Sequence, residues 1–220
     1  MRSLNRNLNR NFNRNFNIII LLFLALPAAA QFSVGIKTGM SLSDYTVKTK
    51  YNKANKGGLA AGLVVMNTIG KNMGIQADLL YVQKGYNHQV CNQCYDKFTS
   101  TFIEVPVTLK YSFYLPKISS KLADLKAHAT GGIYFSRWLN AKYETKVFDD
   151  KITEDYVFSG ESRADFGPNF GAGLEYALFS GSLQLDYRYS YGMVDMSAPG
   201  STNAQKNRSA IISLTYLKSF

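Results

Sequence analysis

Ile103-Glu104-Val105-Pro106-Val107-Thr108-Leu109-Lys110-Tyr111-Ser112-Phe113 is the stretch on which the fold turns. Apolar or aromatic residues occupy every second position. Glu104, Pro106, Thr108, Lys110 and Ser112 occupy the positions between. Successive side chains of a β-strand point to opposite faces, so this pattern predicts a strand with one apolar and one polar face.

The pattern recurs along the chain. Phe32, Val34, Ile36, Met40 and Leu42 alternate with Ser33, Gly35, Lys37, Gly39 and Ser41. Leu59, Ala61, Leu63 and Val65 alternate with small residues. Met73, Ile75, Ala77, Leu79 and Tyr81 alternate with Gly74, Gln76 and Asp78. Ala127, Ala129, Ile133 and Phe135 form another apolar face, and Phe166, Phe170, Ala172, Leu174 and Tyr176 the next. Leu183, Leu185, Tyr187, Tyr189 and Tyr191 alternate with Ser182, Gln184, Asp186, Arg188 and Ser190. Ile212, Leu214, Tyr216 and Phe220 close the chain. With the opening stretch these make eight segments.

Most segments exceed the roughly 5–6 residues of an average soluble strand. They suit the roughly 9–11 residues that a strand needs to cross a bilayer. Long connections (44–57, 87–100, 140–162 and 193–207) alternate with short ones near 69–72 and 178–181. The connection at 115–125 is of medium length, contains Pro116 and has room for a short helix. Long outer loops and short periplasmic turns are the pattern of outer-membrane barrels, with aromatic residues at strand ends forming interfacial girdles. The expected fold is therefore all-β: an eight-stranded antiparallel up-and-down transmembrane β-barrel. Alternation alone reads the same for a soluble lipocalin-like barrel with its apolar face inside, so that reading stays open.

The N-terminus supports export. Residues 5–17 repeat an Arg-Asn-Leu/Phe-Asn unit with no core-forming period. An apolar run over 18–26 and then Pro27-Ala28-Ala29-Ala30 follow. A basic stretch, a short apolar run and an A-x-A site make a secretory signal peptide. Cleavage is expected between Ala30 and Gln31, giving residues 1–30 as leader with its low-complexity extension and 31–220 as the barrel. The apolar run is too short to span a bilayer as a helix.

The net charge of +10 draws partly on Arg2, Arg6, Arg10 and Arg14 of that leader. The remaining positive charges alternate with apolar residues and do not gather on one face, which argues against nucleic-acid binding. Attraction to anionic headgroups accounts for the excess.

Five blocks resemble a known family. They are Ile36-Lys-Thr-Gly-Met-Ser-Leu-Ser43, Gln76-Ala-Asp-Leu-Leu-Tyr-Val-Gln-Lys-Gly85, Ile103-Glu-Val-Pro-Val-Thr-Leu-Lys-Tyr111, Asp165-Phe-Gly-Pro-Asn-Phe-Gly-Ala-Gly173 and Asp186-Tyr-Arg-Tyr-Ser190. Together they look like the PorT-like outer-membrane β-barrel domain, over about 32–220. The resemblance implies an eight-stranded outer-membrane barrel and no substrate. PorT itself is tied to protein secretion, which makes an accessory role in secretion an alternative function.

Lys37, Glu104, Lys110, Glu175, Asp186 and Arg188 would project into one narrow interior. An eight-stranded barrel is just wide enough for side chains to fill. Buried charges must pair, so a network that plugs the barrel is expected, with a gated ion path as the functional alternative. Cys91 and Cys94 form a C-x-x-C in the second long connection, beside His88. In an oxidising compartment a local loop disulfide is the first expectation, and metal binding with His88 the second. The terminal Phe220 with Tyr216 resembles the signal read by barrel assembly machinery.

An enzyme at the loop rim would need a positioned acid–base pair. With only two histidines, one expected at each end of the barrel, none is expected. No cofactor or metal site is expected either. The expected partners are outer-membrane lipid, the assembly machinery and an envelope protein met through the outer loops.

Overall fold

The computed structural model describes residues 31–45, 53–91, 94–115, 124–148, 150–157, 162–197 and 206–220. The leader, the Ala30 side of its cleavage site and the helix expected within 116–123 lie outside the described residues.

Nine strands are present among the described residues. They are β1 (Gln31–Tyr45), β2 (Lys53–Ile69), β3 (Met73–Cys91), β4 (Cys94–Tyr114), β5 (Leu125–Val147), β6 (Asp150–Asp155), β7 (Ala164–Leu178), β8 (Gly181–Tyr191) and β9 (Asn207–Ser219). Each ring strand pairs antiparallel with its sequence neighbour, β5 pairs with β7, and β1 pairs with β9 from Ser33↔Ser219 to Tyr45↔Asn207. Eight strands thus close a ring. In lipid no water can satisfy a free strand edge, so closure is what makes the span possible.

The faces follow the alternation in the sequence, and their sense is now fixed. Ile36 is 66% exposed and the adjacent Lys37 is 3% exposed. Leu63, Leu79, Leu109, Ile133, Phe170, Leu185 and Leu214 are likewise exposed. Asp78, Glu104, Lys110, Asp186 and Arg188 are buried. Apolar residues face outward and charges face the lumen, the reverse of a soluble barrel. The soluble lipocalin-like reading is corrected on this point. Phe32, Phe113, Tyr114, Phe179 and Phe220 are exposed at the end that carries the chain termini and short turns.

Two expectations from sequence need correction. The region 87–100 is not a long loop. β3 and β4 continue through it as a hairpin to Cys91 and Cys94, and His88 pairs with Asp96 within that ladder. The region 140–162 is not all loop either. β5 runs on to Val147, and β6 pairs back on it from Lys142↔Asp155 to Val147↔Asp150. The outward face of the β4–β5–β6 extension carries Tyr95, Lys97, Glu144 and Lys151, so it lacks the apolar signal that marks the ring strands. β6 stands outside the ring, so the barrel keeps the expected eight strands.

β5 therefore changes partner, from β7 below to β6 above. At the fork Leu139 is an extra residue between the pairs Phe102↔Trp138 and Thr101↔Asn140. Such a bulge leaves backbone groups unpaired and bends the strand. Arg163 fills the gap: its Nη2 donates to Leu139 O at 2.6 Å and its Nε to Trp138 O at 3.3 Å. Trp138 N in turn donates to Arg163 O at 2.7 Å.

Candidate functional site

The lumen is the chemically dense part of the molecule. Asp78 on β3 accepts from Lys37 Nζ at 2.8 Å and from Arg188 Nη1 at 2.6 Å. Gln76 Nε2 donates to its other oxygen at 2.8 Å. Asp186 lies 3.5 Å from Lys37 Nζ and 2.7 Å from His128 Nε2, and Thr215 Oγ1 donates to it at 3.3 Å. Gly173 faces His128, where a Cβ would lie 2.6 Å from Nε2; only glycine leaves room for the ring. Nearer the periplasmic end Lys110 pairs with Glu175 at 2.6 Å. Toward the outer end Lys84 pairs with Glu104, and its ammonium lies over the rings of Phe102 and Tyr134 at 5.2 and 5.9 Å.

All six network residues expected from sequence thus face the lumen, in three groups. Lys37, Asp186 and Arg188 meet around Asp78, Lys110 meets Glu175, and Glu104 meets Lys84. That set of six omits Asp78, Lys84, His128 and Asp165. Asp78 and Asp165 sit on the polar alternation, so the same rule reaches them. Lys84 is hidden, because the inward positions just before it are Leu80 and Val82.

These pairs hold one another. Taking a charge out of water costs several kcal/mol, and partners with further hydrogen bonds offset that cost. A small apolar patch of Ala60, Leu80, Val82 and Ile211 fills lumen space beside them.

An aromatic cap sits above. Trp138, the only tryptophan in the chain, is sandwiched between Phe102 and Tyr156, each 5.8 Å away and nearly parallel. Phe98 meets it edge-on at 6.2 Å. Tyr156 is delivered by the return from β6, where its N–H donates to Ala141 O at 2.9 Å. Met196, from the segment after β8, is buried in the same cluster.

Beyond the cap, the outward face of the β4–β5–β6 extension is polar. Register aligns Tyr95 with Lys146 and Lys151, and Lys97 with Glu144 and Thr153. Tyr95 Oη donates to Glu144 at 2.8 Å, and Lys151 Nζ lies 3.2 Å from the same carboxylate. The hydroxyl of Tyr95, and then the two lysines, hold the Glu144 carboxyl below its ordinary pKa. Cys94 is disulfide-bonded, and register sets Cys91 opposite it at the tip of the β3–β4 hairpin.

The lumen pairs brace the strands that carry them. His128 and Asp186 form a buried pair whose free Nδ1 meets no nucleophile among the described residues. No group of three or more His, Cys, Asp or Glu stands close enough to hold a metal among those residues.

The model of the outer membrane protein β-barrel domain matches residues 13–198. The chain belongs to that family. It is a small barrel of the bacterial outer membrane, with lipid against its apolar outer face. Among solved structures, this outer-membrane barrel is similar to Neisserial surface protein A at 15% identity, covering 86% of this chain and 97% of that one, with a TM-score of 0.48. It is similar to OprG from Pseudomonas aeruginosa at 14% identity, covering 86% and 96%, with a TM-score of 0.46. A major outer membrane protein from Thermus thermophilus is 11% identical, with coverage of 87% and 100% and a TM-score of 0.46. No match is found among the curated proteins.

Proposed function

We propose that this barrel is a closed, non-catalytic outer-membrane protein that meets an envelope partner through the outer extension of β3 to β6. The observation that supports this most is the division of labour along the barrel axis. Lumen charges satisfy one another, and an aromatic cap lies over them. Outside the cap, backbone pairing continues with polar, solvent-facing side chains. A barrel that served only as a lipid-embedded scaffold has no use for that extension, and a pore has no use for the plug.

Export by a leader cleaved before Gln31 is part of the reading. So is recognition of Phe220 and Tyr216 by the assembly machinery, with Phe220 N–H held on Phe32 O at 2.9 Å. The accessory role in protein secretion rests on the PorT-like resemblance alone.

Photo-crosslinking side chains placed at Lys97, Lys146 and Ile152 on intact cells test the proposal. The expected result is one discrete crosslinked protein from at least two of these positions. The same positions giving no protein adduct, with the barrel correctly inserted, would overturn it. Purified barrel in planar bilayers is expected to show no steady conductance steps. Stable steps would replace the plugged reading with a pore.

A further inference from the structure

Asp165 stands apart from the other lumen acids. It is 2% exposed. It accepts the Tyr134 hydroxyl at 2.6 Å and the Val194 N–H at 3.2 Å, both neutral donors. No lysine, arginine or histidine pairs with it among the described residues, whereas Asp78, Glu104, Glu175 and Asp186 each have such a partner.

Two side chains beside it have polar atoms without partners. Ser136 lies opposite Asp165 in register, and its Oγ is unpaired. Asn207 is 1% exposed, and neither its Oδ1 nor its Nδ2 has a partner. Gly192 keeps the space between the carboxylate and Asn207 open. A Cβ there would lie 2.5 Å from Asp165 Oδ2 and 3.1 Å from Asn207 Cβ.

We propose that Asp165 and Asn207, with the hydroxyl of Ser136, form a binding site for one alkali cation at the outer end of the lumen. The donor set is all hard oxygen, with one charge, which suits alkali and alkaline-earth ions over softer metals. Calcium sites generally bring more than one carboxylate. The site itself brings one carboxylate, that of Asp165, and no cationic side chain pairs with it among the described residues, which points to a single positive charge. His128 does not serve it. It lies eight residues below Ser136 on β5, roughly 26 Å along the strand, and is committed to Asp186. A buried, uncompensated carboxylate costs several kcal/mol, which a bound cation removes.

The test is the thermal midpoint of the refolded, full-length barrel in detergent, read by its shift in gel mobility on heating. Sodium, potassium, calcium and choline chlorides are compared at equal ionic strength. The expected result is a midpoint roughly 5 °C higher in about 0.3 M sodium or potassium than in choline. Asp165→Asn and Asn207→Leu are each expected to lose that difference. Asp165→Asn in choline is expected to match or exceed the wild type, because it no longer buries a charge. If Asp165→Asn fails to refold, Asn207→Leu decides alone. Equal wild-type midpoints in all salts would leave the site to water and overturn the proposal. Stabilisation by calcium and by neither alkali ion would also overturn it, as would an alkali effect that survives in the variants.

Discussion

Arg188 on β8 and Asp78 on β3 meet at 2.6 Å across the barrel. In the ring order the two strands stand four steps apart on either side, so the pair is a strut between opposite walls. Lys37 on β1 shares the same carboxylate oxygen. One aspartate thereby fixes cations from two other strands.

Removing that hub leaves two buried cations facing each other. Asp78→Ala is expected to destabilise the barrel by about 3–5 kcal/mol. Arg188→Met, which leaves Lys37 and Asp78 still paired, is expected to cost less. Urea titration of refolded protein in lipid vesicles measures both. Equal and small losses would mean that the lumen network does not brace the walls.

The lipid face admits a complementary test. Ile36 and Leu63 point outward and sit well within the apolar band. Ile36→Arg is expected to cost about 2–4 kcal/mol in the same titration. Lys97→Arg, beyond the band, is expected to change little. An outward-facing charge without cost at Ile36 would contradict the assignment of faces.

Trp138 reports on the cap without interference, since the chain has no other tryptophan. Its emission is expected to be blue-shifted and shielded from both acrylamide and brominated lipid. Tyr156→Ala and Met196→Ala are each expected to shift the emission red and to raise acrylamide quenching about two-fold or more, because each removes one side of the packing. Strong quenching by brominated lipid in the wild type would place the ring on the outer face.

At the outer extension, Glu144 carries a depressed pKa, chiefly from the Tyr95 hydroxyl. Its folded value lies below its unfolded value. The stabilisation is therefore present above the unfolded pKa and is lost as pH falls through the folded one. In the region below about pH 4.3 the extension is expected to loosen first. The effect at this surface pair is at most about 1 kcal/mol. Tyr95→Phe is expected to shift the onset of amide exchange in 142–155 to higher pH. An unchanged onset would remove Tyr95 as the cause.

Much of the ring was legible in the sequence because lipid imposes a severe rule. Each crossing strand must show apolar side chains at every second position, and Ile103 to Phe113 does so without exception. The extensions beyond the membrane obey no such rule. Tyr95, Lys97, Lys142, Glu144 and Lys151 face water, so the chain carried no periodic sign that β3, β4 and β5 continue or that β6 exists. Trp138 was illegible for another reason. A lone tryptophan in such a barrel suggests an interfacial anchor, whereas the bulge at Leu139 and the return of Tyr156 enclose it.

The sequence by itself determined which residues share a face, how many strands cross and that the chain suits a membrane. Those properties depend on period and length, which are local. Only the tertiary structure decided that Arg188 reaches Asp78, that Lys110 meets Glu175 and that Asp165 is left with no cation among the described residues. Those depend on register and on ring closure, which set the neighbours across the lumen. A one-dimensional alternation tells each charge to point inward and cannot tell it which charge it will find there.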